Sequence, residues 1–579
     1  MLEVKQFVID DSQFEEGFIP LEHQFTEDYV HTERFPITYD ELKNSYKVMN
    51  YISFDGLGID LLDNNKEFYD NGEYIAYLSS YDSGSIYGPV IYEGAYGYSN
   101  KAAPIIYKIT NNNYPTGITI RFYGYCCNNI SVRYYSSYSD YSPIHSETHI
   151  VHSSEKFIEF NSYIKENHIV KRIEIEFMST PLPNQTIKIE GIMEGKINNI
   201  SKIRSSELLE EINILSDDLP INSFNFEAAL NDSIQEEDPI NIYSNGKYYG
   251  TFFVDETERV SQNIYNIKCS NSIGLLEKTK FRDWKFSTFD IRTELNFFLG
   301  KMAEETSVKA SKPSEYTNYY IYGHIPIESY RKALCEYAYA CGFMVDSSRS
   351  DALALKNIPT EISGVINKER IIGDSSLTKN QVITSAKIQY PAETTNDSFV
   401  NDYKNFLGVP KEERIYYEFE NPVILPDDMK PNEYYIDMYF IYALSGNYID
   451  FKATKTGSPS VSFKRIDYQY VNEIIYNEAS GKAKPNEKDF SQIKIYSGYA
   501  SPSKSLTSYL PQKKKDIKKY IQSRGTVKAK VILQNERVGD LIQVETAYDG
   551  IITGIITSMN ISFGYKDVAD IEVLEWQIG

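Results

Sequence analysis

The sequence predicts a mainly β protein with a small α/β part. The segment 118–122 alternates apolar with polar residues, and 173–177 does the same. This period-two pattern indicates strands with one buried and one solvated face. Asn245-Gly246, between two β-rich runs, is a strong signal for a two-residue hairpin. The segment 327–341 instead carries an apolar stripe at helical spacing. We expect an N-terminal β-sandwich followed by further β-rich domains and a helix-containing domain.

Length and charge restrict the function. With 579 residues the chain can form about three to five domains. It holds 59 Lys plus Arg against 81 Asp plus Glu, a net charge of −22. Because an acidic surface repels phosphate backbones, specific nucleic-acid binding is not expected. No apolar run approaches the roughly 18 residues that span a bilayer, and the N-terminus lacks a secretory signal pattern. We therefore expect assembly in a cytoplasm.

The chain divides by pattern into five parts. Residues 1–50 carry acidic clusters without a sustained period, so they form either an arm that orders on a neighbouring subunit or an extended lead-in. The other predicted units are a β-sandwich at 51–197, a β-rich domain at 198–288, an α/β domain at 289–380 and further β-rich domains at 381–579.

Several elements can be placed inside these units. Helices are predicted at 292–302 and 327–341, and Gly342 ends the second because glycine tolerates a left-handed backbone. The pattern of 343–355 predicts a strand, a polar turn and another strand. The segment 447–478 alternates around a Gly and Pro turn, which predicts a hairpin.

The cysteines are too few and too scattered for a disulfide framework. Two are adjacent and would face opposite ways in a strand, and two others lie in one predicted helix. We expect reduced and mostly buried thiols. The five residues are Cys126, Cys127, Cys269, Cys335 and Cys341.

The sandwich region has a recognisable order of strands. Its segments are ITIRFYGY (118–125), ISVRYY (130–135), KFIEFNSY (156–163) and VKRIEIEFMSTPLPNQTIKIEGI (170–192). In pattern and order they resemble a galactose-binding-like jelly roll, a module that often precedes phage tail hubs.

The later blocks carry a second resemblance, from about 200 to 579. The block 329–355 joins a striped helix to a strand, a turn and a strand, and 528–576 is a ladder of strands containing ITGIITSM. These blocks resemble, in the expected order, the phage tail or baseplate hub family, the tail-tip hubs of phages or phage-tail-like particles of Gram-positive bacteria. The resemblance implies that 198–288 is the first hub β-barrel domain, 289–380 the α/β hub domain and 381–579 the second hub β-rich or barrel domains.

The resemblance implies a structural role in a virion tail or baseplate, assembled in the host bacterial cytoplasm. Three copies would form a homotrimeric ring that continues the tail tube. The expected partners are neighbouring tail tube, distal tail and baseplate proteins, peripheral tail-tip proteins and the tape-measure protein. The jelly roll would face outward, towards neighbouring proteins or cell-wall carbohydrate.

Motifs of the common enzyme classes are absent: the sequence has no HExxH, GxSxG, P-loop or CxxC. His149 and His152 form an HxxH, but on a strand they would point to opposite faces. The oxygen-rich stretch from Asp60 to Asp70 could coordinate calcium, yet it lacks the EF-hand order and a plain turn fits it better. We therefore predict no catalytic residue, cofactor or metal site, and a protein that is not an enzyme.

The run KKKDIKK at 513–519 is the densest positive patch. With Ile517, Tyr520 and Ile521 it predicts a short amphipathic helix whose lysines form a solvated face. A docking patch for an acidic neighbour is the alternative.

A tyrosine-rich loop at 134–142 is the candidate glycan platform, because aromatic rings stack against sugar rings. Packing of these side chains on the sandwich is favoured, since no set of polar donors is visible beside them. The four candidates are Tyr134, Tyr135, Tyr138 and Tyr141.

Two other classes of protein stay open. A carbohydrate-binding tail adhesin would recognise host cell-wall glycans through 51–197. A cell-wall hydrolase would need a cleft with two convergent carboxyl groups.

Overall fold

The computed structural model describes residues 2–9, five short strands between residues 59 and 108, and most of the chain from 116 to 577 apart from short gaps. The fold is mainly β with a small helical part, as the sequence predicts. None of the described helices is long and apolar enough to cross a membrane.

Two sheets form the N-terminal unit. Ile118, Ile130 and Ile173 are fully buried, as the alternation predicts, but the predicted solvated face is wrong at Thr119 and Ser131, which are 0% and 6% exposed. The hydroxyl of Tyr134, from one sheet, bonds Ser162 on the other. The first sheet, which continues into the β units described below, contains in this unit Ile75–Ser79, Ile86–Tyr92, Ala95–Ser99, Gly117–Tyr123, Phe157–Tyr163 and Thr186–Ile200. The second contains Ile59–Asp60, Ile105–Lys108, Asn129–Tyr135, His145–Ile150 and Arg172–Ser179.

The first strand of the chain, Leu2–Ile9, joins two parts of the molecule. It pairs with the end of Thr186–Ile200 and with Pro239–Ser244, both antiparallel. Val4 in this strand is fully buried. The start of the predicted arm is thus a strand that pairs within the protein. Residues 10–50, which make up the rest of that arm, lie outside the described residues.

Two β units, distant in sequence, share one sheet and one hydrophobic core. The first β unit contains Ile203–Glu211, Ser223–Ala229, Pro239–Ser244, Lys247–Ser261 and Ile264–Ser270. The last β unit contains Gly364–Ile366, Ser376–Lys379, Gly525–Ile532, Leu541–Glu545, Ile551–Ser562 and Val568–Glu575. Leu208–Glu211 pairs with Ser558–Ile561 across the two units. Buried side chains of both units, such as Phe224 and Ile571, belong to one cluster.

The hairpin predicted at Asn245-Gly246 is confirmed. Its arms pair antiparallel, and both turn residues have positive φ angles, 50° and 76°. This is the backbone that favours Asn and Gly in a two-residue turn.

Four described helices pack around a second core: α1 (Ser272–Lys278), α2 (Leu295–Thr306), α3 (Tyr330–Cys341) and α4 (Leu510–Gln522). In α3 the Ser329 side chain accepts the backbone N–H of Lys332, and Gly342 ends the helix with a φ of 72°. The predicted helix at 292–302 is partly wrong, because Arg292–Glu294 is a strand and α2 begins at Leu295.

Short strands surround these helices. They are Lys280–Phe281, Ala310–Ser311, Tyr319–Tyr322, Glu328–Ser329, Phe343–Asp346, Leu353–Asn357, Ser385–Pro391, Tyr470–Tyr476, Glu487–Asp489, Tyr496–Ala500 and Leu506–Ser508. Between residues 399 and 466 lie Phe399–Asn405, Arg414–Glu418, Val423–Ile424, Tyr435–Ile436, Tyr439–Leu444, Tyr448–Ala453 and Ser460–Ile466. The pairing of 343–346 with 353–357 confirms the predicted strand, turn and strand.

The hairpin predicted within 447–478 is wrong. Tyr448–Ala453 pairs with Arg414–Glu418 and Tyr439–Leu444, whereas Ser460–Ile466 belongs to another sheet. The intervening Gly457 exchanges both backbone hydrogen bonds with Val409, at 2.8 and 3.0 Å. The turn residues therefore separate two strands that have different partners.

Candidate functional site: a junction of three units and an adjoining cleft

A loop of the first β unit, residues 213–219, inserts against the helices and is called here the junction loop. Ser216, fully buried with a φ of 53°, donates its hydroxyl to the Phe343 carbonyl at 2.7 Å. Arg331 of α3 donates from Nη2 and Nε to the Leu219 carbonyl, at 2.7 and 2.9 Å. The junction loop is thus held by polar bonds at both ends of α3.

Lys513 of α4 also holds the junction loop. Its ammonium donates to the Leu215 carbonyl at 3.1 Å and lies 3.7 Å from the centre of the Tyr339 ring. Burial lowers the pKa of Lys513 to about 7, although the carboxyl groups of Asp516 and Asp217 favour its charged form. An amine of this kind is costly to charge at neutral pH.

The prediction that the lysines of 513–519 form a solvated face is therefore wrong for Lys513, which is buried. Lys513 lies one turn before Ile517 and two turns before Ile521, so it shares their buried face. The remaining lysines of the run are at least partly exposed, and the amphipathic helix itself is confirmed as α4.

A buried ion pair joins the first β unit to the α/β part. Arg349 donates from Nε and Nη2 to the two carboxylate oxygens of Glu210, at 3.2 and 3.1 Å. The two side chains are only 6% and 1% exposed. The guanidinium also lies 4.9 Å from the centre of the Tyr249 ring. Burial raises the pKa of Glu210, and the charge of Arg349 partly offsets this effect.

Asp567 joins the first and last β units in the same region. Its carboxylate accepts from the Tyr249 hydroxyl at 2.9 Å and from the Ser244 hydroxyl at 2.8 Å. Burial is the main cause that raises the pKa of Tyr249, so the phenol is a neutral donor. Buried polar contacts of Glu210 and Asp567 thus fix the α/β part, the first β unit and the last β unit relative to one another.

A cleft of about 310 Å³ opens beside the junction loop. Glu336 of α3 lies in its wall and is 6% exposed. Burial, and then the nearby Glu328, raises the pKa of Glu336 to about 8. The other charged residues of the wall are Asp217, Asp218, Glu277, Arg331 and Lys332.

The predicted tyrosines separate in the structure. Tyr134 is fully buried, and Tyr135 is 4% exposed with its hydroxyl donating to Glu174 at 2.8 Å. Tyr141 is 99% exposed. Tyr138 lies outside the described residues. Two of the four side chains thus pack on the sandwich, and a glycan platform stays a prediction in which Tyr141 is accessible.

The other sequence candidates fall in different places. Cys269, Cys335 and Cys341 are free and buried, as expected, whereas Cys126 and Cys127 lie outside the described residues. The described residues include neither the side chain of His149 nor any part of His152. Of the oxygen-rich stretch from Asp60 to Asp70, they include only the backbone of Asp60. In the part of the chain that the structure describes, no three His, Cys, Asp or Glu residues group to hold a metal ion.

Comparison with known proteins gives similarity of structure alone. No family model matches the chain, and no curated protein does either. A 43 kDa tail protein of prophage MuSo2 from Shewanella oneidensis is 10% identical, with a TM-score of 0.37 over 66% of this chain and 96% of that one.

Two further solved structures are similar at the same level. A tail protein from Neisseria meningitidis MC58 is 9% identical, with a TM-score of 0.39 over 66% of this chain and 94% of that one. Prophage tail protein gp18 from Listeria monocytogenes EGD-e is 11% identical, with a TM-score of 0.33 over 65% of this chain and 91% of that one. Similarity at this level does not establish what the chain does.

Proposed function

We propose that the chain is a non-enzymatic hub subunit of a phage or phage-tail-like tail tip or baseplate. The observation that carries the proposal is the union of the first and last β units in one sheet and one core. Paired strands bury their polar edges, and buried ion pairs and hydrogen bonds fix the helices onto them. Such a rigid body suits a protein that bears load and positions others.

The hub acts as a homotrimer in this proposal. Three copies around an axis form a closed ring with a central channel that continues the tail tube. The net charge of −22 suits a channel wall along which DNA or a tape-measure protein passes without binding.

The N-terminal sandwich faces outward in the proposed assembly. It contacts distal tail, baseplate or peripheral tail-tip proteins, or carbohydrate of the cell wall. Support for a peripheral position comes from its topology, since Leu2–Ile9 and Thr186–Ile200 join it to the first β unit at one side. The strand Thr186–Ile200 runs across the proposed boundary at residue 197 and makes the connection stiff.

The proposal is tested by labelling. An antibody against the full chain, coupled to gold, is applied to purified tails or tail-like particles from the bacterium that carries the gene. We expect gold at the distal end of each tail. Label along the shaft, or particles that lack the chain, would overturn the proposal.

A further inference from the structure

We propose that the cleft beside α3 receives an arginine side chain of a partner protein, with the Glu336 carboxylate as its counter-ion. The inference concerns this cleft alone and does not depend on the proposed tail function. It rests on the shape of the cleft, the burial of Glu336 and the pairing of the surrounding charges.

The cleft is built from segments that are distant in sequence. The junction loop contributes Asp217 and Asp218, α1 contributes Glu277, and α3 contributes Glu336. A volume of about 310 Å³ lies at the lower end of the roughly 300–1,000 Å³ of ligand pockets. It suits one long side chain better than a large ligand.

Glu336 is the unpaired group of this cleft. Its side chain is more than nine-tenths buried, yet its carboxyl has no hydrogen bond or ion pair among the described residues. A buried carboxyl without a partner is costly, and a cation that enters the cleft would remove that cost.

The neighbouring charges already have partners. Arg331 contacts Asp218 at 3.1 Å and Glu277 at 3.5 Å. Lys332 contacts the Glu328 carboxylate at 2.8 Å. Both cations of the wall therefore pair with other carboxylates, and Lys332 favours the charged form of Glu336 without forming an ion pair with it.

Two further lysines face this region from outside the wall. Lys488 pairs with Asp217 at 3.2 Å. Lys494 favours the charged form of Glu336, but its ammonium lies over the Tyr470 ring, 5.4 Å from the ring centre. Neither lysine forms an ion pair with Glu336.

The chemistry of the wall favours a guanidinium over a metal ion. The described residues hold no group of three metal-ligating side chains, whereas Cys335 and Ile493 give the cleft an apolar part. A guanidinium is planar, is weakly hydrated and donates two parallel hydrogen bonds to a carboxylate, so it tolerates such surroundings better than an ammonium does.

Binding should release a proton. Because the pKa of Glu336 is about 8, the free carboxyl is largely protonated at neutral pH, and a bound cation favours its charged form. The affinity for an arginine side chain should therefore rise between roughly pH 7 and roughly pH 9.

The test uses the full chain with isotope-labelled isoleucine methyl groups, because Ile493 lines the cleft. N-acetyl-arginine methylamide is titrated, and N-acetyl-citrulline methylamide serves as the uncharged analogue of the same shape. We expect a saturable shift of the Ile493 methyl signal with arginine, which strengthens as the pH rises. Citrulline should give no saturable shift.

Glu336→Gln should weaken binding by at least about tenfold, the value of one charge-assisted hydrogen bond, and should abolish the pH dependence. Glu361→Gln, at an exposed position away from the cleft, is the matched control and should bind as the parent does. Equal shifts with citrulline, no shift with arginine, a stronger response to N-acetyl-lysine methylamide, or unchanged binding by the Glu336→Gln variant would each overturn the proposal.

Discussion

Arg349 and Glu210 form a two-bond ion pair although both side chains are almost fully excluded from water. The arginine belongs to the turn between Phe343–Asp346 and Leu353–Asn357, and the glutamate to a strand of the first β unit. A contact between these elements fixes the α/β part on the β scaffold. Its loss would leave a buried charge without its partner.

Arg349→Leu is expected to lower the free energy of unfolding by about 3–5 kcal/mol, because Glu210 stays buried without its cation. Urea denaturation followed by circular dichroism measures the change. Arg465→Leu is the matched control, since Arg465 makes a two-bond contact with Asp467 in which the side chains are 34% and 41% exposed. It should cost clearly less, because neither charge of this pair is left buried. Equal losses in the two variants would contradict the structural role of Arg349.

Lys513→Met is expected to stabilise the protein near neutral pH. Burial gives Lys513 a folded-state pKa of about 7, below the usual 10.5 of the unfolded chain. Between these values the unfolded state binds more protons at this site, so stability rises with pH, and below about pH 7 the full cost of charging the buried amine applies.

The difference between Lys513→Met and the parent should therefore be largest below about pH 7 and should shrink towards about pH 10. Thermal midpoints measured across this range give the comparison. Lys518→Met lies on the same helix, with a side chain 39% exposed and paired to Glu478 at 3.0 Å. It should shift the midpoint little and equally at every pH. If the thermal midpoint of Lys513→Met differed from that of the parent by the same amount at every pH, the charge of the buried amine would not be the cause of the difference.

Gly342→Ala is expected to destabilise the protein through two effects. Gly342 has a φ of 72°, and an added Cβ would overlap the Tyr509 phenol, whose hydroxyl donates to Asp516 at 3.1 Å. Gly373→Ala isolates the first effect, because Gly373 has a φ of 81° and open space around its Cα. We expect about 1 kcal/mol for Gly373→Ala from backbone strain and clearly more for Gly342→Ala. Equal shifts of the thermal midpoint in the two variants would show that overlap with Tyr509 does not contribute.

Local sequence patterns predicted a helix or a strand correctly where the burial of one of its faces, or its turn residues, determines the structure. The apolar stripe and Gly342 located α3, and Asn245-Gly246 located a hairpin. Alternation also located the strands within 525–575 of the last β unit.

The junction could not be predicted in this way because its contacts join residues that are far apart in the chain. Arg349 stands in a polar turn that the sequence suggests is solvated, and Lys513 stands in a lysine run. Their burial depends on Glu210 and on the Leu215 carbonyl, which the first β unit supplies. The false hairpin at 447–478 has a similar cause, since alternation identifies a strand but not its partner.

The measurement that tests the central claim most directly is the mass of the purified chain by light scattering, combined with negative-stain imaging of the same sample. The account predicts a complex of three chains of 66.7 kDa that forms a ring with threefold symmetry and a central channel. A monomer at every concentration, or an oligomer without a channel, would contradict the hub ring.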